Sequence, residues 1–182
     1  LLKYITDEVS NLDNVVKDLN TIISARDSGT EAKEKISFKV ELDLIKRVLE
    51  NQIFESNAII THQFDDPCEM ITIKSYLYSI MYNLLSNAVK YRSPNVPLVI
   101  HFQATQNTQF ICLSVTDNGM GIDLEKNGKK IFSLYKRFHT GNIPGRGIGL
   151  NLVKTQAESL GGKVEVESQL NKGTTFKVFF PK

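Results

Sequence analysis

The chain has 182 residues, 41% hydrophobic and 23% charged, which suits one folded domain with an appendage. A net charge of +2 is too small to argue for nucleic acid, so no such partner is expected. There is no signal peptide and no apolar run long enough to span a bilayer, so any membrane contact is expected only through segments outside this chain.

From the N-terminus, apolar residues fall at Ile5, Val9, Leu12, Val16, Leu19 and Ile23, a heptad seam, with Lys3, Asp7, Glu8, Asp13, Lys17 and Asp18 on the other faces. Two readings stand: an amphipathic helix packed on its own domain, or one helix of a dimeric hairpin. The chain begins at Leu1, not methionine, and already in helical register, which reads as a piece of a longer protein. Arg26 to Thr30 reads as a stop and linker, with Gly29 suited to a C-cap. A boundary is expected near residue 30, separating 1–30 from 31–182.

Ile36 to Val40 alternates like a short strand, and Leu42, Leu44, Ile45, Val48, Leu49, Ile53 and Phe54 form a helical stripe ending near Asn57. Ala58–Phe64 and Met70–Ile73 read as strands joined by an Asp65-Asp66-Pro67 turn. A long helix over about Ser75–Tyr91 should stop at Ser93-Pro94. Leu98–Ala104 and Phe110–Thr116 alternate like paired strands. Ile131–Phe138 is expected to be helical, as is Ile148–Leu160, which ends at Gly161-Gly162. Lys163–Ser168 and Thr175–Phe180 read as a closing strand pair. This order predicts an α+β fold, a two-layer α/β sandwich with a mixed sheet, preceded by a helical coiled-coil segment. Cys68 and Cys112 lack ligand spacing; Cys112 lies in an apolar run and reads as a reduced core residue, consistent with a cytoplasmic setting.

Asn83 and Asn87 are spaced i, i+4 and share one helix face, with Lys90 close to it. Two amide oxygens together with phosphate oxygens suit Mg²⁺, and Lys90 suits phosphate. The alternative is a pair of amides bonded to neighbouring loops. Asp117 closes a strand before the glycine turn D-N-G-M-G, where its carboxylate can accept a hydrogen bond from an exocyclic amine; the alternative is an ordinary Asx turn. G-R-G-I-G-L at Gly145–Leu150 opens a helix whose free N–H groups favour phosphate.

The stretches N-L-L-S-N-A-V-K-Y, D-N-G-M-G-I, F-S-L-Y-K-R-F, G-R-G-I-G-L and N-K-G-T-T-F, in that order, resemble the N, G1, F, G2 and G3 boxes of a sensor histidine kinase, in the superfamily that includes DNA gyrase and Hsp90. The resemblance covers about residue 36 to the end and implies the Bergerat ATP-binding fold with ATP and Mg²⁺ as cofactors. It implies that Asn87 and Asn83 hold Mg²⁺, that Lys90 and Arg137 reach phosphate, and that Tyr91 stacks near adenine. Asp117 would bind the adenine amine, with Gly119, Gly121 and Ile122 shaping its turn. Gly145, Gly147, Ile148, Gly149 and Leu150 would form the phosphate loop, and Thr174 or Thr175 would line the adenine pocket. Residues 122–146 would be an ATP lid, mobile without nucleotide. The first 30 residues resemble the second helix of the dimerisation and phosphotransfer hairpin, implying a homodimer and a response-regulator receiver domain as partner.

His62, His101 and His139 do not resemble the phospho-acceptor, which would lie on an upstream helix. In the gyrase-like branch a glutamate stands four residues before the metal-binding Asn; here that position is Asn83, a poor general base, so slow hydrolysis is expected. The rival readings are a clamping ATPase and a non-catalytic ATP-sensing module.

Overall fold

The computed structural model describes residues 32–65, 68–135 and 147–182. Strand β1 (Glu34–Ser37) leads into helices α1 (Phe38–Val48) and α2 (Glu50–Ser56). Strands β2 (Ile59–Phe64) and β3 (Glu69–Thr72) precede the long helix α3 (Lys74–Lys90). The hairpin of β4 (Val99–Gln106) and β5 (Phe110–Asp117) follows, then the single-turn helix α4 (Leu124–Asn127) with a 3-10 turn behind it. Helix α5 (Gly149–Ser159) and the hairpin of β6 (Lys163–Gln169) and β7 (Gly173–Pro181) complete the chain.

Five strands form one mixed sheet in the order β2-β4-β5-β7-β6, and β1 pairs with β3 in a separate antiparallel ribbon. Within the large sheet the β2–β4 pair is parallel and the others antiparallel. Ile100, Phe102 and Ala104 of β4 alternate inward, as do Leu113 and Val115 of β5 and Phe176, Val178 and Phe180 of β7. Phe38, Leu42 and Ile45 of α1, and Leu77, Ile80, Met81, Leu84 and Leu85 of α3, recur at helical spacing and meet that face in one core. Burying each such side chain contributes about 1.5–3 kcal/mol. The two-layer α+β sandwich expected from the sequence is thus the fold.

Several local expectations are corrected. The strand expected to reach Val40 stops at Ser37, because Phe38, Leu42 and Ile45 bury together at the helical period. The stripe from Leu42 to Phe54 is two helices, broken at Leu49 (φ −96°, ψ 11°), and it closes on Asn57 in the left-handed region (φ 49°). The two strands expected over 58–64 and 70–73 are present as β2 and β3, in separate sheets: β3 pairs with β1, while β2 lies parallel to β4 across a connection that carries α3. The helix expected over Ile131–Phe138 is absent from its described part: residues 131–135 are turns ending at Tyr135 with φ 59°, which an α-helix cannot hold. The helical turn lies earlier, capped by the Asp123 carboxylate, which accepts from the Lys126 N–H at 3.1 Å. Residues 122–135 are also not a loose loop, since Ile122 and Ile131 are buried in the main core. Cys112 is a free, half-buried thiol on the open face of the sheet, not a core residue, because Ile111 and Leu113 take the inward positions. The seam helix and the boundary near residue 30 lie outside the described residues.

Candidate functional site

Leu84, Leu85, Ala88 and Val89 fix the roll of α3 by turning into the core, which leaves Asn83, Asn87 and Lys90 half-buried on another side. The Asn83 amide donates from Nδ2 to the Ser79 carbonyl at 2.8 Å, and lies 3.4 Å from the Ser79 hydroxyl. A carbonyl only accepts, so this bond assigns the amide and directs Oδ1 away from Ser79. Oδ1 lies against Gly149, at the start of α5. An oriented amide oxygen, with a second amide one turn along the helix, fits an oxygen-seeking cation such as Mg²⁺ that keeps water and phosphate ligands. The last turn of α3 closes with the Tyr91 N–H donating to the Asn87 carbonyl at 2.9 Å, and Lys90 Nζ stands 4.8 Å from the Tyr91 ring centroid.

The turn after β5 is locked to that helix end. Met120 N–H donates to the Tyr91 carbonyl at 2.9 Å. The Asp117 carboxylate accepts from the Gly119 N–H at 2.8 Å and from the backbone N–H of Thr174, its register partner on β7. Burial nonetheless pushes its pKa up to about 6, outweighing the lowering by both N–H groups. Gly121 holds φ 65°, and a Cβ there would overlap the Gln169 carbonyl oxygen, so both conformation and space demand glycine. Ile122 N–H donates to Ser168 Oγ at 2.7 Å.

At the third wall, Ile148 is buried with Ile73, Tyr76 and Leu152, while Leu150 packs on the main core. This seats the first turn of α5 against α3. The Tyr135 N–H donates to the Gly147 carbonyl at 3.0 Å, and Asn151 Nδ2 donates to the Phe132 carbonyl at 2.8 Å. The chain therefore leaves at Tyr135 and returns at Gly147 through one bonded point.

Of the residues singled out from the sequence, Asn83 meets Gly149, Tyr91 holds the turn that carries Asp117, Gly119 and Gly121, and Thr174 is the register partner of Asp117. Asn87 and Lys90 share the side of Asn83, Ile122 is bonded to Ser168 and Gly147 to Tyr135, and Ile148 and Leu150 turn into apolar clusters. Thr175 does not join them. Strand alternation turns it to the open face of the sheet, where its hydroxyl lies 3.0 Å from that of Thr116. Arg137 and Gly145 lie outside the described residues. Three residues went unforeseen: Ser168, Asn151 and Asn118. The last of these accepts from the Val99 N–H at 2.8 Å and donates to the Pro97 carbonyl at 2.9 Å, clamping the start of β4. The D-N-G turn hinted at Asn118; nothing local pointed to the other two.

Residues 72–182, more than half of the chain, match the family model described as histidine kinase-, DNA gyrase B-, and HSP90-like ATPase. The chain belongs to this family. Among relatives, it is 38% identical over 109 residues to the sensor protein RprX of Bacteroides fragilis (strain YCH46), covering 58% of this chain and 21% of that protein. The chain thus spans about a fifth of that relative's length. Among solved structures, the Acinetobacter baumannii histidine kinase AdeS superposes with a TM-score of 0.77 at 18% identity, covering 99% of this chain and 83% of that one. The histidine kinase ThkA, in complex with the response regulator protein TrrA, superposes at 0.73 with 19% identity, covering 98% of this chain and 49% of that one. These two likenesses speak for the fold. Among the described residues, no helix is long and apolar enough to cross a membrane.

Proposed function

We propose that this ATPase-family domain is the kinase core of a two-component sensor histidine kinase. It binds Mg-ATP and delivers the γ-phosphoryl group to a histidine on a helix outside this sequence, for relay to an aspartate of a response-regulator receiver domain. The observation that carries the reading is the pairing of a half-buried carboxylate, Asp117, with an oriented amide oxygen, Asn83, on walls joined by the Tyr91–Met120 bond. Asp117 holds the adenine amine, its oxygens kept in place by the N–H groups of Gly119 and Thr174. Asn83 and Asn87 hold Mg²⁺, which when bound neutralises charge on the phosphates. Lys90 would supply charge to phosphate, as the resemblance implies also for Arg137, which lies outside the described residues. The first turn of α5 supplies N–H groups and a positive dipole end to the phosphates.

This reading is favoured over a clamping ATPase because Asn83 cannot take a proton from water, and its N–H is already committed to Ser79. The complex of ThkA with its response regulator supports a receiver-domain partner. The heptad pattern of Ile5, Val9, Leu12, Val16, Leu19 and Ile23 supports a homodimeric parent protein, and a receiver-domain partner supports a cytoplasmic setting for this domain.

Calorimetric titration of Mg-ATP into the chain, and into Asn87→Asp, tests the proposal. Saturable binding that weakens in the variant, with no continuing heat of hydrolysis, is expected. A sustained heat of turnover moves the assignment to an ATPase, and no binding at all removes the nucleotide reading.

A further inference from the structure

One hydroxyl group connects the Asp117 turn to the strand beside it. Ser168 Oγ receives the Ile122 N–H at 2.7 Å and lies 2.9 Å from both the Gly173 carbonyl and Thr174 Oγ1. A serine hydroxyl has one proton and two lone pairs. The Gly173 carbonyl can only accept, so it takes the Ser168 proton. One lone pair is filled by Ile122, and the other is left for the Thr174 hydroxyl, which must donate to it. The Thr174 proton is therefore committed to Ser168, and Thr174 Oγ1 has only lone pairs to offer a ligand. Thr174 is 6% exposed, so water offers its hydroxyl little alternative. Its register partner, Asp117, is likewise an acceptor once ionised.

We propose that Ser168 is a specificity-determining positioning residue. By accepting the Thr174 proton it makes the base-reading pair Asp117–Thr174 present acceptors alone, which admits a 6-aminopurine nucleotide and refuses a 6-oxopurine one. The amino group brings N–H donors to both acceptors. A 6-oxo group brings lone pairs against lone pairs, and neither partner has a proton to turn outward. Leaving polar groups so mismatched in a buried site costs more than a missing contact. The inference rests on the nucleotide reading above and adds to it how the base is chosen.

The test uses the full chain and compares ATP with ITP, which differ in the purine at the 6-position edge, by calorimetric competition. In Ser168→Ala the Thr174 hydroxyl is released to turn and donate, so the ATP:ITP affinity ratio is expected to narrow by roughly tenfold or more. Ser168→Thr keeps the hydroxyl and should keep the ratio, a rescue that a general loosening of the turn does not produce. Where Ser168→Ala lowers folding, Thr174→Val removes the acceptor with little change of shape and is expected to narrow the ratio as well. ATP binding by the unmodified chain, with an unchanged ratio in a folded Ser168→Ala or Thr174→Val protein, overturns the proposal alone. Failure of the unmodified chain to bind ATP overturns the nucleotide reading and the proposal with it.

Discussion

The side-chain oxygen of Asn83 stands where any side chain at position 149 would have to begin: a Cβ on Gly149 would lie 2.5 Å from Asn83 Oδ1. The contact joins the middle of α3 to the first turn of α5, two elements distant in sequence. Glycine is needed there for close approach, and the amide oxygen is held in place from behind by Ser79.

Gly149→Ala therefore has to displace Asn83 or tilt α5. A destabilisation of about 1–3 kcal/mol is expected, together with weaker Mg-ATP binding. Adding Asn83→Ala should restore much of the thermal stability without restoring affinity. A cycle of the two substitutions, read by thermal unfolding and calorimetry, checks the coupling, and simple additivity of the two stability changes would contradict it.

Asp117 predicts opposite pH trends for folding and binding. Its folded pKa, about 6, is raised above the usual carboxylate value by burial, so the folded state holds the proton more tightly than the unfolded one. The stability linked to this group is fully present below the unfolded pKa, near 3.8, and is lost as pH rises through about 6. Amine recognition needs the ionised acceptor, so ATP affinity should instead fall as pH is lowered from 7.5 to 5. Asp117→Asn should flatten both trends and weaken ATP at neutral pH. Parallel melting and titration series over that range decide the matter.

Asn151→Ala removes the bond to the Phe132 carbonyl, worth about 1 kcal/mol. Hydrogen exchange should quicken over residues 131–135, while α3 stays protected. Uniform quickening across the domain would mean that Asn151 serves the global fold and not this local anchor.

Gln156 is 2% exposed, and its Oε1 has no hydrogen-bond partner. An unpaired buried acceptor costs about 1–3 kcal/mol, so Gln156→Met, which is similar in volume and apolar, should raise the melting temperature. ATP affinity should not change. A fall in stability would show that the amide makes an interaction beyond its side-chain oxygen.

Much of this molecule is written locally. The alternation of Ile100, Phe102 and Ala104, and of Ile111, Leu113 and Val115, names two strands and their inward faces before any partner is known. The 3.6-residue period sets Asn83 and Asn87 on one side of α3 once Leu84, Leu85 and Ala88 claim the core. The glycines at Gly119, Gly121, Gly147 and Gly149 mark where backbone has to bend or come close. These features depend on neighbours within one turn or one strand.

Other features depend on residues far apart in the chain, and the sequence alone was silent or wrong about them. Strand β2 has no local reason to lie parallel to β4; the α3 crossover and the shared core decide it. Thr174 and Thr175 carry the same chemistry, and only the register of β7 against β5 turns the first toward Asp117 and the second to the open face. Ser168 looks like any strand serine until the β6–β7 hairpin brings Gly173 and Thr174 beside it and the Asp117 turn adds Ile122. The sequence by itself determined the elements and the chemical letters of the site, because periodicity and glycine act over a few residues. The tertiary structure decided which proton sits where, because hydrogen-bond direction depends on groups that only the folded sheet brings within 3 Å.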